Sequence, residues 1–591
     1  MNRNEISSEY KWDFSAIYPT KSDWESAYAA TQAKIPEIAA LSGKMTDSAE
    51  ALKAALDKIY ETAEELDRIY SYAHLHKDTD NSNPEYQDMD ARAMSLYVNF
   101  SMATSFVDPE ILTIPEDKLK SYMDSPALAG YRHILDNTNR ARPHTLDAKT
   151  EQMLAMLGEV AQTPSNAFDM LEAVDISFPD TTGEDGKPTK LTHGSYRALL
   201  ESQNRDVRRE AYEKYSGTFK SYINTTSALY AGSVKQDTFF SRVKNFASSC
   251  EAALFGTNVP TSVYDALIEA IHDGLPTMRK YIDVRKKLLG LDDVHMYDLY
   301  TPMVKGADMK MTYEDAKKLV LGACAPLGEE YVSLLNRAYR ERWIDVYENP
   351  GKTTGAFSAG VYGAHPYVLL NFSGTLDDAF TLAHELGHSM HSYFSSREND
   401  YANHDYRILC AEVASTVNEV LLSKYLLKTE TDKDRRAAIL NHLLEGFRTT
   451  VYRQTLFAEF ERRAHEMDER GEPLTAQSLS RVYRELNELY YEGAVVDELQ
   501  DIEWSRVPHF YSAFYVYQYA TGFSSAVKIA TDIIESGDAS NYLKFLSTGG
   551  SDYSIEELKI AGVDLTKPDT VRSALKVFDE TLEEFRAIMN V

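Results

Sequence analysis

Apolar residues recur at helical spacing along most of this chain of 591 residues, and this periodicity constrains the fold more than any other feature. Between about Ser22 and Tyr122, for example, Leu52, Leu56 and Ile59 lie on one face of a predicted amphipathic helix. The same spacing dominates everything after Thr375. The sequence therefore predicts a mainly α fold.

Two segments interrupt the helical pattern with short β signals. Between Val174 and Thr192, two β segments flank the turn residues Gly183–Gly186, which predicts a hairpin. Near the middle of the chain, residues 355–358 and 367–372 read as short strands separated by glycines and a proline. These strands lead directly into the metal motif described below, so we expect a small sheet beside that motif.

The chain is longer than one simple core supports, so two or more lobes are expected. The polar stretch 136–144 breaks the first helical region. We predict three regions: an N-terminal helical region (1–136), a segment that contains the hairpin (137–204) and a large C-terminal domain (205–591).

Charge and cysteine content exclude several classes of protein. The 62 basic and 91 acidic residues give a net charge of −29, which opposes binding to nucleic acid or to anionic lipid. Cys250, Cys324 and Cys410 lie far apart, which indicates neither a disulfide framework nor a cysteine zinc site. The start of the chain has no apolar signal core, and no later stretch approaches a membrane span. We expect a cytoplasmic protein.

The strongest chemical signal is His384-Glu385-Leu386-Gly387-His388. Thr375 is suited to cap a helix that contains this segment. Histidines at positions i and i+4 share one helical face, so both imidazoles can bind one zinc ion while Glu385 faces the open coordination position. Glu385 would then take the proton of a zinc-activated water.

A second acidic pair lies in the apolar segment that follows Ala411. Glu412 and Glu419 are seven residues apart and share one helical face. Buried carboxylates are costly without a cation, so we predict that Glu412 is the third zinc ligand and that Glu419 orients a ligand histidine. The alternative is that both are solvated surface acids.

His391 competes with Glu412 for the third ligand position. It lies about 10 Å along the helix axis from His384, too far for three imidazoles of one straight helix to meet at one metal. A supporting or substrate-binding role is expected for His391 instead. A metzincin site is excluded, because that motif places glycine and a third histidine at positions where this chain has His391 and Phe394.

The late segment His509–Tyr519 is rich in tyrosine and holds candidate donors to an oxyanion. On its own this segment is typical of an aromatic core stripe on a helix. The two readings stay open at this point.

Long stretches of the chain resemble the oligoendopeptidase F family of zinc peptidases, relatives of thimet oligopeptidase. The resemblance is carried by residues 374–391, by 411–419 and by 509–522, with weaker similarity at 12–18, 288–300 and 549–564.

The resemblance implies two helical lobes around a deep substrate channel, and one zinc ion per chain bound by His384, His388 and Glu412. It implies that Glu385 is the general base and that His509 binds the oxyanion together with a tyrosine. For that tyrosine we favour Tyr515 and then Tyr511. The implied substrate-binding residues are Tyr511, His391, Phe357 and Gly360, the last two in a strand that would pair with the peptide backbone.

The predicted function is therefore zinc-dependent endopeptidase activity on short peptides. Two alternatives remain: a peptide-binding protein without turnover, and a zinc exopeptidase. The sequence does not fix the side-chain preference or the oligomeric state, and two imidazoles with one carboxylate also accept other divalent ions.

Overall fold

A computed structural model describes residues 2–304 and 310–591, which contain 24 α-helices and seven short strands. The helices of the first half are α1 (Lys21–Ala39), α2 (Ala49–Thr79), α3 (Pro84–Thr104), α4 (Val107–Thr113), α5 (Glu116–Met123), α6 (Arg132–Arg140), α7 (Ala148–Ala161), α8 (Thr163–Met170), α9 (His193–Leu200), α10 (Arg205–Ser221), α11 (Ile223–Val243), α12 (Ser249–Phe255) and α13 (Thr261–Leu288).

The helices of the second half are α14 (Tyr313–Ala323), α15 (Glu329–Arg340), α16 (Leu376–Glu398), α17 (Ile408–Thr429), α18 (Lys433–Gly446), α19 (Arg453–Glu469), α20 (Ala476–Tyr490), α21 (Tyr517–Ser536), α22 (Ser540–Leu546), α23 (Ser554–Ile560) and α24 (Asp569–Met589). The strands are β1 (Thr181–Thr182), β2 (Pro188–Thr189), β3 (Val294–His295), β4 (Ile344–Asp345), β5 (Phe357–Ala359), β6 (Tyr367–Leu369) and β7 (Ala494–Val495). The mainly α prediction is confirmed.

The chain divides into two compact units, each assembled from three separate segments. Unit 1 consists of Met1–Pro143, Asp308–Tyr425 and Ile529–Val563, and unit 2 consists of His144–Ala307, Leu426–Lys528 and Asp564–Val591. The three regions predicted from the sequence, 1–136, 137–204 and 205–591, are each continuous in the chain, unlike these two units. They stay predictions.

The small sheets are close to the sequence expectation. β1 and β2 form an antiparallel hairpin around Gly183–Gly186, although each strand has only two residues. In unit 1, β4, β6 and β5 form a sheet in that order, with β5 antiparallel to β6. A parallel pair, β3 with β7, lies in unit 2.

The predicted break at 136–144 contains the end of a helix and a boundary between the two units. The first segment of unit 1 ends at Pro143, whereas α6 continues to Arg140 and a short 3-10 turn covers Arg142–His144, so only the second half of the stretch is a break. The buried Leu135 anchors α6, so the polar residues that follow remain on a helix that is already packed.

A buried ion cluster ties the start of unit 1 to its sheet. Asp345 in β4 is fully buried and binds Arg3 at 2.6 Å and Lys352 at 2.8 Å. Trp12 donates its indole N–H to the carbonyl oxygens of Trp343 and Val368, each at 2.9 Å. These contacts hold β4 and β6 in place beside helix α16. Among the described residues, no helix has both the length and the apolar character that crossing a membrane requires.

Candidate metal centre

Helix α16 carries the two histidines and begins as its sequence predicts. Thr375 Oγ1 accepts a hydrogen bond from Asp378 N at 3.2 Å, and the Asp378 carboxylate accepts one from Thr375 N at 2.8 Å. This capping box satisfies free amides of the first turn. His384 and His388 follow one turn apart in the middle of the helix.

Helices α16 and α17 cross in close contact at a glycine. A Cβ atom added at Gly387 would lie 2.6 Å from Ser415 Cα and 2.7 Å from Ala414 O, closer than real Cβ contacts allow. Next to this contact, the buried Asn418 donates from Nδ2 to the Ala383 carbonyl oxygen at 3.0 Å. The crossing therefore fixes α17 against the turn that carries the histidines.

This crossing brings Glu412 to the histidine pair. His384 Nε2 and His388 Nε2 are 3.1 Å apart, and one ligand atom from each histidine and from Glu412 lie within 4.8 Å of one another. Ligands about 2.1 Å from a tetrahedral zinc are separated by roughly 3.4 Å, so the nitrogen separation fits such an ion. Within residues 2–304 and 310–591, no other three His, Cys, Asp or Glu residues come together in this way.

Glu419 contacts the first histidine from the opposite side of its ring. Its Oε1 lies 2.6 Å from His384 Nδ1. Because an ionised carboxylate can only accept, Nδ1 carries the proton and Nε2 presents its lone pair. This is the orientation that a metal ligand requires.

The ionisation of the group follows from its burial. Burial raises the pKa of Glu385 to about 7, and only 7% of this residue is exposed. Burial also lowers the pKa of His388 to about 3, with a further contribution from His384. Burial lowers the pKa of His384, but the hydrogen bond and the charge of Glu419 raise it by more. The pKa of His384 therefore lies above its ordinary value. A carboxylate with a pKa near neutrality is well suited to take and return a proton.

His391 lies one turn further along α16 and exposes no surface. Its ring stacks on Tyr406 at a centroid distance of 3.5 Å, and neither ring nitrogen has a hydrogen-bond partner among the described residues. Tyr406 also donates to Ser392 or accepts from it at 2.7 Å. A direct contact between His391 and a substrate would require Tyr406 to move.

Strand β5 lies at the edge of its sheet and against α16. Its Ser358 hydroxyl is 2.9 Å from the Ser389 hydroxyl, and a Cβ atom added at Gly360 would lie 2.8 Å from Ser392 Oγ. β5 pairs with β6 on one side, and no described strand pairs with its other side. Phe357 is half-buried and packs near Trp12. The strand is therefore fixed directly beside the histidine helix, with a free edge.

The candidate oxyanion donors near the end of the chain belong to unit 2. His509 is exposed on a 3-10 turn, Pro508–Tyr511. Its ring lies 6.0 Å from that of Tyr519, which in turn lies 5.5 Å from the ring of Tyr515. Tyr511 instead stacks on Phe168 at 4.4 Å. The structure thus groups His509 with Tyr515 and Tyr519, and Tyr517 is buried.

Comparison with known proteins decides the family. The family model of peptidase family M3 matches residues 198–577, and that of the oligopeptidase F N-terminal region matches residues 110–178. This chain belongs to peptidase family M3.

Its relatives place the chain in the oligoendopeptidase F group of the M3 family. Oligopeptidase PepF of Bacillus subtilis is 44% identical, over 100% of this chain and 88% of its own length. The crystal structure of oligoendopeptidase-F from Enterococcus faecium is 36% identical with a TM-score of 0.72, covering 96% of this chain and 99% of that one. A crystal structure from Chlamydophila abortus, of a protein described as a peptidase, is 34% identical with a TM-score of 0.96 over 99% of both chains. The resemblance seen in the sequence is confirmed.

The helix crossing gives a prediction for this M3 peptidase. Gly387→Ala places a methyl group against the Ser415 backbone, so α16 and α17 must separate. We expect a loss of about 1–3 kcal/mol in the free energy of unfolding, together with weaker metal binding. Thermal unfolding and a zinc titration measure the two effects.

The matched control for this prediction is Gly217→Ala in α10, where an added Cβ would have no heavy atom within 4 Å. This change should be neutral or stabilise by about 0.5–1 kcal/mol, because alanine loses less backbone entropy than glycine in a helix. If Gly387→Ala behaved like this control, the close approach would not determine the geometry of the metal group.

Proposed function

We propose that this M3 peptidase is a zinc-dependent endopeptidase that hydrolyses internal bonds of short peptides. The observation that carries the proposal is the convergence of His384, His388 and Glu412, with Glu385 in the same helical turn. Two imidazoles and one carboxylate are a typical ligand set of catalytic zinc, which keeps a further coordination position open. One zinc ion per chain would be held by these three residues.

The chain's own residues supply the proton transfers. When bound, zinc acts as a Lewis acid that makes a water more acidic and polarises the scissile carbonyl. Glu385 takes the proton of the attacking water and delivers it to the leaving amine. Glu419 keeps His384 in one tautomer and one orientation through its bond to Nδ1.

The free edge of β5 is the proposed binding surface for the peptide. An extended peptide can add to a sheet edge through main-chain hydrogen bonds. This mode of binding recognises the peptide backbone more than its side chains. Phe357 and Gly360 lie on this edge strand or directly after it. Substrate contacts by His391 and Tyr511 stay predictions, since the first is covered by Tyr406 and the second stacks on Phe168.

The names of the relatives support peptides as substrates. The Bacillus subtilis relative is called an oligopeptidase and the Enterococcus faecium structure an oligoendopeptidase. We extend both properties, action on oligopeptides and internal cleavage, to this chain. A cytoplasmic location stays a prediction.

Metal analysis and product analysis together test the function. We expect one zinc per purified chain and internal cleavage, stopped by a chelator, of a mixed set of peptides blocked at both ends. Intact blocked peptides with cleavage of unblocked ones would indicate an exopeptidase. Stoichiometric zinc without cleavage of any peptide would indicate a binding protein.

We assign stabilisation of the oxyanion to His509 and Tyr515, which are donors of the right chemistry. His509→Ala is expected to leave zinc content unchanged and to lower kcat by about 10²–10³-fold, the range for loss of one such donor. The matched control is His442→Ala in α18, which should leave kcat unchanged. Loss of zinc from the His509 variant would show that its role lies elsewhere.

A further inference from the structure

The connection between α16 and α17 is held by a glycine pair from the last segment of unit 1. Gly549 and Gly550 lie between α22 and α23, in a part of the chain to which the proposed function gives no role. Gly550 donates its backbone N–H to Asn403 O at 2.9 Å. Just before the pair, the Ser547 carbonyl oxygen accepts from Asn399 Nδ2 at 2.8 Å. The pair therefore lies directly on the residues that link the histidine helix to the helix of Glu412.

Neither glycine leaves space for a side chain. A Cβ atom added at Gly550 would overlap the carbonyl oxygen of Asp405. One added at Gly549 would overlap the carbonyl oxygen of Asn403 and lie 2.6 Å from Ser395 Oγ. Gly549 also has a φ of +60°, which glycine adopts without strain. Because both overlaps are with backbone oxygens, a side chain could fit only if the connection itself moved away.

Tyr406 follows Asp405 directly and contacts the histidine helix. Its ring stacks on His391 at a centroid distance of 3.5 Å. Its hydroxyl lies 2.7 Å from Ser392 Oγ and donates to the His388 carbonyl oxygen at 3.4 Å. A shift of Asp405 would therefore move a side chain that packs on the turn after a candidate metal ligand.

The last segment of unit 1 also contacts α17 on both sides of Glu412. Cys410 Sγ donates to Glu557 Oε2 at 3.4 Å. The hydroxyl of Tyr542 donates to the Ala414 carbonyl oxygen at 3.2 Å. These contacts fix the residues two positions before and two positions after Glu412.

The three candidate ligands come from two helices, so their distances depend on how these helices are aligned. The close approach at Gly387 fixes α16 and α17 at one point, about which they could still pivot. The glycine pair and Tyr406 provide a second fixed point, at the connection. Zinc holds its protein ligands at about 2.0–2.2 Å, so a small misalignment of the helices weakens binding.

We propose that Gly549, Gly550 and Tyr406 are positioning residues of the metal group. The glycine pair fixes Asp405, and Tyr406 passes this constraint to the histidine helix and to the start of α17. The inference rests on the proposed zinc site and deepens it, because it assigns the alignment of the ligands to the last segment of unit 1.

Zinc titration of the full chain in chelator-buffered solutions tests the proposal. Gly550→Ala must displace Asp405. We expect zinc affinity to fall by about 10–100-fold, the range for loss of a group that orients a metal ligand. Unchanged zinc affinity in a folded Gly550→Ala variant overturns the proposal.

The matched control is Gly562→Ala in the same segment of the chain. Gly562 has a φ of +82°, and the nearest heavy atom to an added Cβ is Asp532 Oδ2 at 4.0 Å. Alanine strains the backbone there without approaching α16 or α17, so the Tm of the zinc-free protein should fall while zinc affinity stays unchanged. Equal losses of zinc affinity in the two variants would mean that any strain in this segment weakens the site, which overturns the assignment to the glycine pair.

Variants of Tyr406 test the route and do not depend on the folding of Gly550→Ala. Tyr406→Ala removes the stack on His391 and should lower zinc affinity by about 10–100-fold, whereas Tyr406→Phe keeps the stack and should retain most of the affinity. The double variant Gly550→Ala/Tyr406→Ala should bind zinc about as weakly as the weaker single variant, because both changes act through one contact. Additive losses, or normal zinc affinity of Tyr406→Ala, overturn the proposal.

The unchanged protein separates this inference from the proposed function. If it bound no zinc, the proposed function and the positioning roles would both be overturned. Zinc-dependent cleavage by the unchanged protein, together with normal zinc affinity of Gly550→Ala and Tyr406→Ala, would overturn the positioning roles alone.

Discussion

Glu385→Gln is expected to lower kcat by about 10²–10⁴-fold, the usual contribution of a general base, while zinc remains bound. Glutamine keeps the shape of the side chain but cannot accept the proton of the attacking water. Tm should not fall, because burial already disfavours the charge of Glu385. The measurements are kcat on an end-blocked fluorogenic peptide, zinc content and Tm.

The matched control is Glu398→Gln at the end of the same helix, where an exposed carboxylate pairs with Arg397 at 2.7 Å. Exposed ion pairs contribute little, so activity and Tm should stay close to those of the unchanged protein. Full activity of Glu385→Gln would remove this residue from the mechanism. Loss of zinc in that variant would mean that Glu385 supports the ligands rather than the proton transfer.

The second large effect is expected for Glu412→Gln. A neutral amide oxygen is a poorer zinc ligand than a carboxylate. In this variant His384 and His388 would be the only two strong ligands left of the three. We expect zinc affinity to fall by more than about 100-fold, beyond the 10–100-fold that removal of an outer hydrogen-bond partner costs. Zinc titration in chelator-buffered solutions measures the affinity.

Glu419→Gln separates the two carboxylates of α17. It retains an acceptor for His384 Nδ1 but removes the charge, so zinc affinity should fall by about 10–100-fold. The expected order of loss is Glu412→Gln, then Glu419→Gln, then Glu398→Gln. If the Glu419 variant lost more zinc than the Glu412 variant, the roles assigned to these two residues would be reversed.

Local sequence rules predicted the histidine helix well. The capping residue Thr375 and the spacing of His384 and His388 involve only neighbours in the chain, so propensity and periodicity define them. The family resemblance and the mainly α class were also correct. The hairpin around residues 183–186 was found through its turn residues, although its strands are shorter than the sequence suggested.

Long-range contacts could not be predicted in the same way. The sequence singled out Glu419, but it gave no sign that its neighbour Asn418 bonds to Ala383, 35 residues earlier. The sequence motif does not show that position 387 must lack a side chain, and only the crossing helix explains why none fits there. These features depend on the packing of two helices, which periodicity does not specify.

The candidates His391 and Tyr511 show the same limit. Helical spacing placed His391 on the face of the two histidines, yet Tyr406, from a separate segment, covers it. The order of the late tyrosines was equally open, because the turn at Pro508–Tyr511 is irregular and the period of α21 starts only at Tyr517. The close arrangement of the rings of His509, Tyr519 and Tyr515 can be seen only in the folded structure.

The interleaved segments of the two units also determine when this protein can fold during its synthesis. Unit 1 needs residues up to Val563 and unit 2 needs residues up to Val591, so neither is complete while the ribosome is still translating the middle of the chain. Domains of many large proteins fold one after another from the N-terminus. Here the helices that carry the candidate metal ligands leave the ribosome before the last segment of their own unit, so unit 1 stays incompletely packed until Ile529–Val563 has been translated.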